Sequence, residues 1–151
     1  MTRVIATAAL ALVLTGSGSL VRAQESAAEA QNKQIILEFY ENTLNGKNPK
    51  AATSYFGSHY TQHNPGVADG AEGFLKFIEF LRQKYPLAHS EPKHVFADGD
   101  YVIIHSQAIQ EPGTRGAAIV DIFRLENQKI VEHWDVIQPV PETASNSNGM
   151  F

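Results

Sequence analysis

Val120-Asp121-Ile122-Phe123-Arg124-Leu125-Glu126-Asn127-Gln128-Lys129-Ile130-Val131-Glu132-His133-Trp134-Asp135-Val136 reads as two strands joined by a tight turn. Apolar and polar residues alternate on both sides of Asn127-Gln128, the period of a half-buried strand. A two-residue loop at Asn127-Gln128 opposes Glu126 to Lys129, and pairing runs back from there: Leu125 to Ile130, Phe123 to Glu132, Asp121 to Trp134. Opposed residues share a sheet face. One face is then expected to carry Asp121, Phe123, Leu125, Ile130, Glu132 and Trp134. The other takes Val120, Ile122, Arg124, Val131, His133 and Asp135. A carboxylate among aromatic and aliphatic neighbours is costly to bury unless paired, and such an environment prepares acid/base residues. Charged residues on a solvated face would give the same spacing.

Upstream, the chain reads as helices and then strands. Asn32 to Leu44 has Ile36, Phe39, Tyr40 and Leu44 on one helical face. Asn48-Pro49 opens a second, shorter helix, Asn48 as cap and Pro49 in the first turn, with Gly57 as its end. Asp69 begins a third helix, with Phe74, Phe77, Ile78 and Leu81 as its apolar stripe and Pro86 as its stop. From Ala88 onward the pattern is sheet. Asp98-Gly99 marks a hairpin between His94-Val95-Phe96 and Tyr101 to Gln110. His105 then lies mid-strand on the face of His94, Phe96, Tyr101 and Ile103. A histidine in that setting is either a satisfied core residue or a proton relay. His59 and His63 are spaced as two metal ligands on a helix would be, but Asn64-Pro65-Gly66 interrupts a helix there. No metal and no other cofactor is expected. Tyr60 and His63 can instead reach into a pocket while Asn64 and Pro65 shape the turn, or His63 can serve only to hydrogen-bond that turn.

Asp121 to Leu125 and Lys129 to Val136, with Tyr60-Thr61-Gln62-His63-Asn64-Pro65 upstream, resemble the SnoaL-like polyketide cyclase family of the NTF2-like (nuclear transport factor 2-like) superfamily. The resemblance covers roughly 31–141. The family usually has Asn-Gly at the hairpin turn; here Gln128 stands where the glycine would be and must tolerate a positive φ. The resemblance implies an α+β fold, an NTF2-like cone with three N-terminal helices packed on a strongly curved antiparallel sheet. It also implies a small-molecule pocket in the cone and a homodimer through the outer sheet face, which Ile122, Val131 and Ile137 would suit. Asp121 matches the family's acid/base aspartate and His105 is the candidate assisting histidine. Tyr60, His63, Phe123 and Trp134 would bind the substrate. The expected function is cofactor-independent acid/base chemistry on a small apolar carbonyl compound, such as aldol-type cyclisation or isomerisation. The alternative is a ligand-binding module without chemistry.

Organisation follows from the remaining composition. Residues 1–23 read as a signal peptide: Arg3, then an apolar run from Val4 to Leu14 too short to span a bilayer, then Val21-Arg22-Ala23 before the cut. The protein is therefore expected to be exported, periplasmic or secreted, with no membrane association after cleavage. Residues 24–30 read as a linker, 31–141 as the domain and 142–151 as a tail. The formal charge of −4 and the lack of a basic cluster exclude a nucleic-acid surface. The chain has no cysteine, so it cannot rely on disulfides.

Overall fold

A computed structural model describes residues 24–151; the expected signal peptide lies outside the described residues. The order is α1 (Ala27–Phe39), a π-helical turn (Tyr40–Asn45), α2 (Pro49–Thr53), β1 (Phe56–Gln62), α3 (Gly70–Lys84), β2 (His89–Asp98), β3 (Tyr101–Ile109), β4 (Ala117–Glu126) and β5 (Lys129–Pro139). The helices pack on one face of a curved five-stranded sheet of order β1-β5-β4-β3-β2. The sheet is mixed, not purely antiparallel, because β1 runs parallel to β5.

α1 starts within the stretch read as linker. Ser26 caps it: its hydroxyl accepts from the Glu29 N–H at 3.1 Å, and the Glu29 carboxylate accepts from the Ser26 N–H at 2.7 Å. Glu29 also accepts from the Gly99 N–H at 3.0 Å, tying the helix start to the β2–β3 turn. These backbone donors, Ser26 first, pull the Glu29 pKa down to about 2. At its other end α1 widens into the π-helical turn, where Gly46 N–H reaches back five residues to Glu41 O. The second helix opens on Asn48 and Pro49 as its sequence implies, yet ends at Thr53. Strand β1 follows, where the sequence reads as turn and irregular chain.

Phe39 is the centre of the core. It is 1 % exposed and meets the rings of Tyr55, Phe56, Phe74 and Phe123 at 5.5–6.0 Å between centroids. It thereby joins α1 to the α2–β1 junction, to α3 and to the sheet.

The β4–β5 hairpin turns at Asn127-Gln128, with φ of 50° and 63°. Both residues are in the left-handed region that the tight hairpin requires. Gln128→Gly relieves that conformation and is expected to raise stability by up to about 1 kcal/mol. A rise in the urea midpoint checks this; a fall would mean that the glutamine side chain itself holds the turn.

Beyond the first two pairs the register departs from the one the alternation predicts. Leu125 opposes Ile130, but Arg124 opposes Glu132, so Val131 is an extra residue on β5. This β-bulge shifts every later pair by one. Phe123 opposes His133 rather than Glu132, and Asp121 opposes Asp135 rather than Trp134. Val131 is buried where Gly57 of β1 leaves room; a Cβ on Gly57 would stand 2.8 Å from Val131 Cγ1. Ile137, opposite Ile119, lies on the inner face with Asp121 and Asp135, whereas Ile122 remains outside, and Val131 is too buried to present a surface there. The β2–β3 hairpin also differs: Asp98 pairs with Tyr101, so its loop is Gly99-Asp100. That shift is by an even count and leaves every side chain on its expected face.

The segment after β5 has no helix or strand. Its last residue, Phe151, stacks on His105 at 5.4 Å and lies 5.7 Å from Lys93 Nζ.

Candidate active site

A cavity of about 300 Å³ lies between the helices and the inner sheet face, within the size range of small-molecule sites. Phe39, Phe74, Phe77 and Leu81 form its apolar wall. The polar wall comes from β3, β4 and β5 as Ser106, Asp121, His133 and Asp135, closed by Gln62 at the end of β1 and Asn64 just beyond it.

Asp121 is buried at the centre of a hydrogen-bond chain. One carboxylate oxygen accepts from the Tyr40 hydroxyl. The other is 2.9 Å from His133 Nε2. Burial, and then the nearby Asp121 charge, push the Tyr40 pKa well above that of free tyrosine, so this hydroxyl keeps its proton and donates. The Tyr60 pKa is raised by the same causes, burial first. Ser106, 1 % exposed, approaches the Tyr40 hydroxyl but completes no hydrogen bond of acceptable geometry, leaving its Oγ unsatisfied in the cavity wall.

The protonation of His133 follows from its neighbours. The Asn64 backbone N–H donates to Gln62 Oε1 at 2.9 Å, so that atom is the amide oxygen, and Gln62 Nε2 donates to the Tyr60 hydroxyl at 2.8 Å. His133 Nδ1 stands 2.9 Å from the same Gln62 oxygen and must carry a hydrogen to bond it. The gap between Nε2 and Asp121 then holds one proton, since two bare lone pairs would repel at that distance. The pair is imidazolium with carboxylate, or imidazole with carboxylic acid.

Asp135 stands beside this pair. Asn64 Oδ1 accepts from the Gly66 N–H at 2.7 Å, which makes Nδ2 the donor to Asp135 Oδ2 at 2.5 Å. Asp121, His133 and Asp135 present ligand atoms within 4.8 Å of one another. By donor type they could hold a divalent cation, a grouping the sequence reading does not anticipate.

Of the residues singled out from sequence, Asp121 and Phe123 face the cavity. Tyr60 is buried on the same side, one hydrogen bond from Gln62, without forming the wall. His63 and Trp134 are on the outer face, stacked at 4.7 Å and 3° between planes. There His63 Nε2 meets Glu132 at 2.9 Å, and Arg124 bonds the same carboxylate at 2.7 Å. Those two contacts, His63 first, hold the Glu132 pKa below the ordinary value. His105 is also outside: Ile104 is the residue opposite Asp121, while His105 opposes Val120. The bulge removes Trp134 from the pocket, and strand alternation removes His105. His133 and Asp135 take the inner positions. Tyr40, which reads as plain core in the sequence, is the residue that closes the chain on Asp121.

The sequence profile of the SnoaL-like domain family matches residues 36–133. No curated protein matches the chain. Among solved structures, a SnoaL-like protein of unknown function from Burkholderia thailandensis is similar at 17% identity and a TM-score of 0.64, over 76% of this chain and 99% of that one. A candidate SnoaL-like polyketide cyclase from Jannaschia sp. CCS1 gives 17% identity and 0.62, over 76% and 90%. An NTF2-like protein of unknown function from Cytophaga hutchinsonii gives 20% and 0.60, over 72% and 90%. Identities this low establish the shared fold alone.

Proposed function

The chain belongs to the SnoaL-like domain family, and from that premise and the site geometry we propose that it catalyses cofactor-independent acid/base chemistry on a small, largely apolar carbonyl compound. The observation that carries this reading is the buried Tyr40–Asp121–His133 hydrogen-bond chain at a cavity wall, whose Asp121–His133 contact of 2.9 Å implies one shared proton. Asp121 gives or takes that proton beside the carbonyl, and His133 shares it in the assisting role that the family resemblance implies for a histidine. Tyr40 orients the carboxylate. Ser106 offers an unused hydroxyl to an oxygen of the ligand. Phe123 and the aromatic wall hold the apolar remainder.

The β-hydroxy derivative of benzylacetone is a suitable probe, because its loss of water gives a conjugated ketone that absorbs in the ultraviolet. Turnover by the purified protein is expected. Saturable binding of a panel of such ketones with no turnover would leave a ligand-binding module.

Export and pairing complete the proposal. The N-terminal charge and apolar run support removal of residues 1–23. Among the described residues, no helix is long and apolar enough to cross a membrane. The outer sheet face exposes Phe96, Val120 and Val136, the last at 71 %, which supports a second copy packed there. Native mass spectrometry of the exported protein is expected to give two chains, each lacking the first 23 residues. A full-length single chain would remove both expectations.

A further inference from the structure

We infer that Asp135 is a second catalytic residue, the base that takes a proton from carbon, while the Asp121–His133 pair is the acid that delivers one to oxygen, so that the site removes water from β-hydroxy carbonyl compounds. This deepens the acid/base reading above and rests on it.

Three observations carry the division. First, the hydrogen-bond donors differ. Asp121 is engaged on both oxygens, by Tyr40 and His133, and shares a proton. Asp135 receives one amide donor, on Oδ2, and has no other hydrogen bond among the described residues. Its Oδ1 is free to accept a proton. Second, backbone groups fix both amides. The Asn64 N–H pins Gln62, and the Gly66 N–H pins Asn64. The turn after β1 thus sets His133 as a donor at Nδ1 and Asp135 as an acceptor, without either residue touching the other's partner. Third, Asp121 and Asp135 are directly opposed on β4 and β5 and share the inner face. Both reach a ligand from the same side, and one carboxylate oxygen of each lies within 4.8 Å of the other's. That span suits a hydrogen and a hydroxyl on adjacent carbons.

The Asp135 carboxylate takes the hydrogen from the carbon next to the carbonyl. The C–H electrons form the new carbon–carbon double bond as the adjacent C–O bond breaks. The leaving oxygen takes the shared proton of the Asp121–His133 pair and departs as water. The proton on Asp135 then returns to the pair, and the site is reset with no oxidant, reductant or further reactant.

Two probes separate the roles. Benzylacetone has the acidic C–H and no leaving group, so hydrogen–deuterium exchange in heavy water, followed by NMR, reports the base alone. Its β-hydroxy derivative needs base and acid. Wild-type protein is expected to catalyse both, with or without EDTA. Asp135→Asn should lower both rates by about 10²-fold or more. Asp121→Asn should lower elimination by as much and exchange by less than about tenfold. Asp135→Glu, which keeps the carboxylate, should recover exchange that a merely structural loss would not. Exchange unchanged in Asp135→Asn overturns the assignment, as does loss of wild-type exchange on chelation, which would put a metal ion in the base's place. Exchange abolished in Asp121→Asn and kept in Asp135→Asn makes Asp121 the base and leaves the broader acid/base reading intact. A wild-type protein inert to both probes ends both.

Discussion

Asp121→Asn is expected to fold as the wild type does and to lose elimination turnover by about 10²–10⁴-fold. The substituted amide can keep every contact. Its oxygen accepts from Tyr40, and its NH₂ donates to His133 Nε2, while Nδ1–H still reaches Gln62. What disappears is the shared proton: the histidine becomes a neutral imidazole and the carboxyl group is gone. Circular dichroism and a melting temperature close to that of wild type establish the fold, and initial rates on the β-hydroxy ketone read the loss. The fall belongs in kcat, because the ligand's apolar contacts with Phe39, Phe74 and Phe77 are untouched. Wild-type turnover in this variant would take Asp121 out of the mechanism.

Phe39→Ala is expected to cost about 3–5 kcal/mol, a large share of the roughly 5–15 kcal/mol that holds a domain of this size together. The ring is fully enclosed, and its four aromatic neighbours come from the α2–β1 junction, α3 and β4. None of them can close the gap without leaving its own partners. The residue also forms part of the cavity wall, so truncation enlarges the ligand space as it weakens the core. Urea unfolding followed by circular dichroism measures the cost. A loss below about 1 kcal/mol would mean that the neighbours collapse into the space, and that the aromatic cluster is not the centre of the fold.

Much of this architecture is legible in the residues, and the failures have local causes. The two-residue turn at Asn127-Gln128 and the first pairs of its hairpin follow from alternation. Ile130-Val131 was the available sign of trouble: two successive apolar residues break a period of two, as the extra residue of a bulge does. Without that correction His133 and Asp135 read as outer residues and Trp134 as an inner one. Strand β1 was hidden because its buried residues, Phe56 and Tyr60, are four apart, a helical interval, and its pairing with β5 is irregular. The role of Tyr40 was hidden in another way. Its spacing with Ile36 and Leu44 predicts a core side chain, and it is one; only its hydroxyl, meeting a strand 81 positions away, is part of the site. His105 illustrates the limit of choosing between histidines before strand faces are known.

Val131 has a consequence for how this pocket could change over generations. Loss of that single residue would leave a plain ladder with the same later pairs, His133 against Phe123 and Asp135 against Asp121. Retained but drawn into regular pairing against Arg124, it would instead turn the rest of β5 over, bringing Glu132 and Trp134 inside and sending His133 and Asp135 to the solvent side. One residue gained between Glu132 and His133 and paired regularly would do the same to the residues beyond it. What the hollow offers a ligand thus depends on where a surplus residue is looped out as much as on side-chain identity.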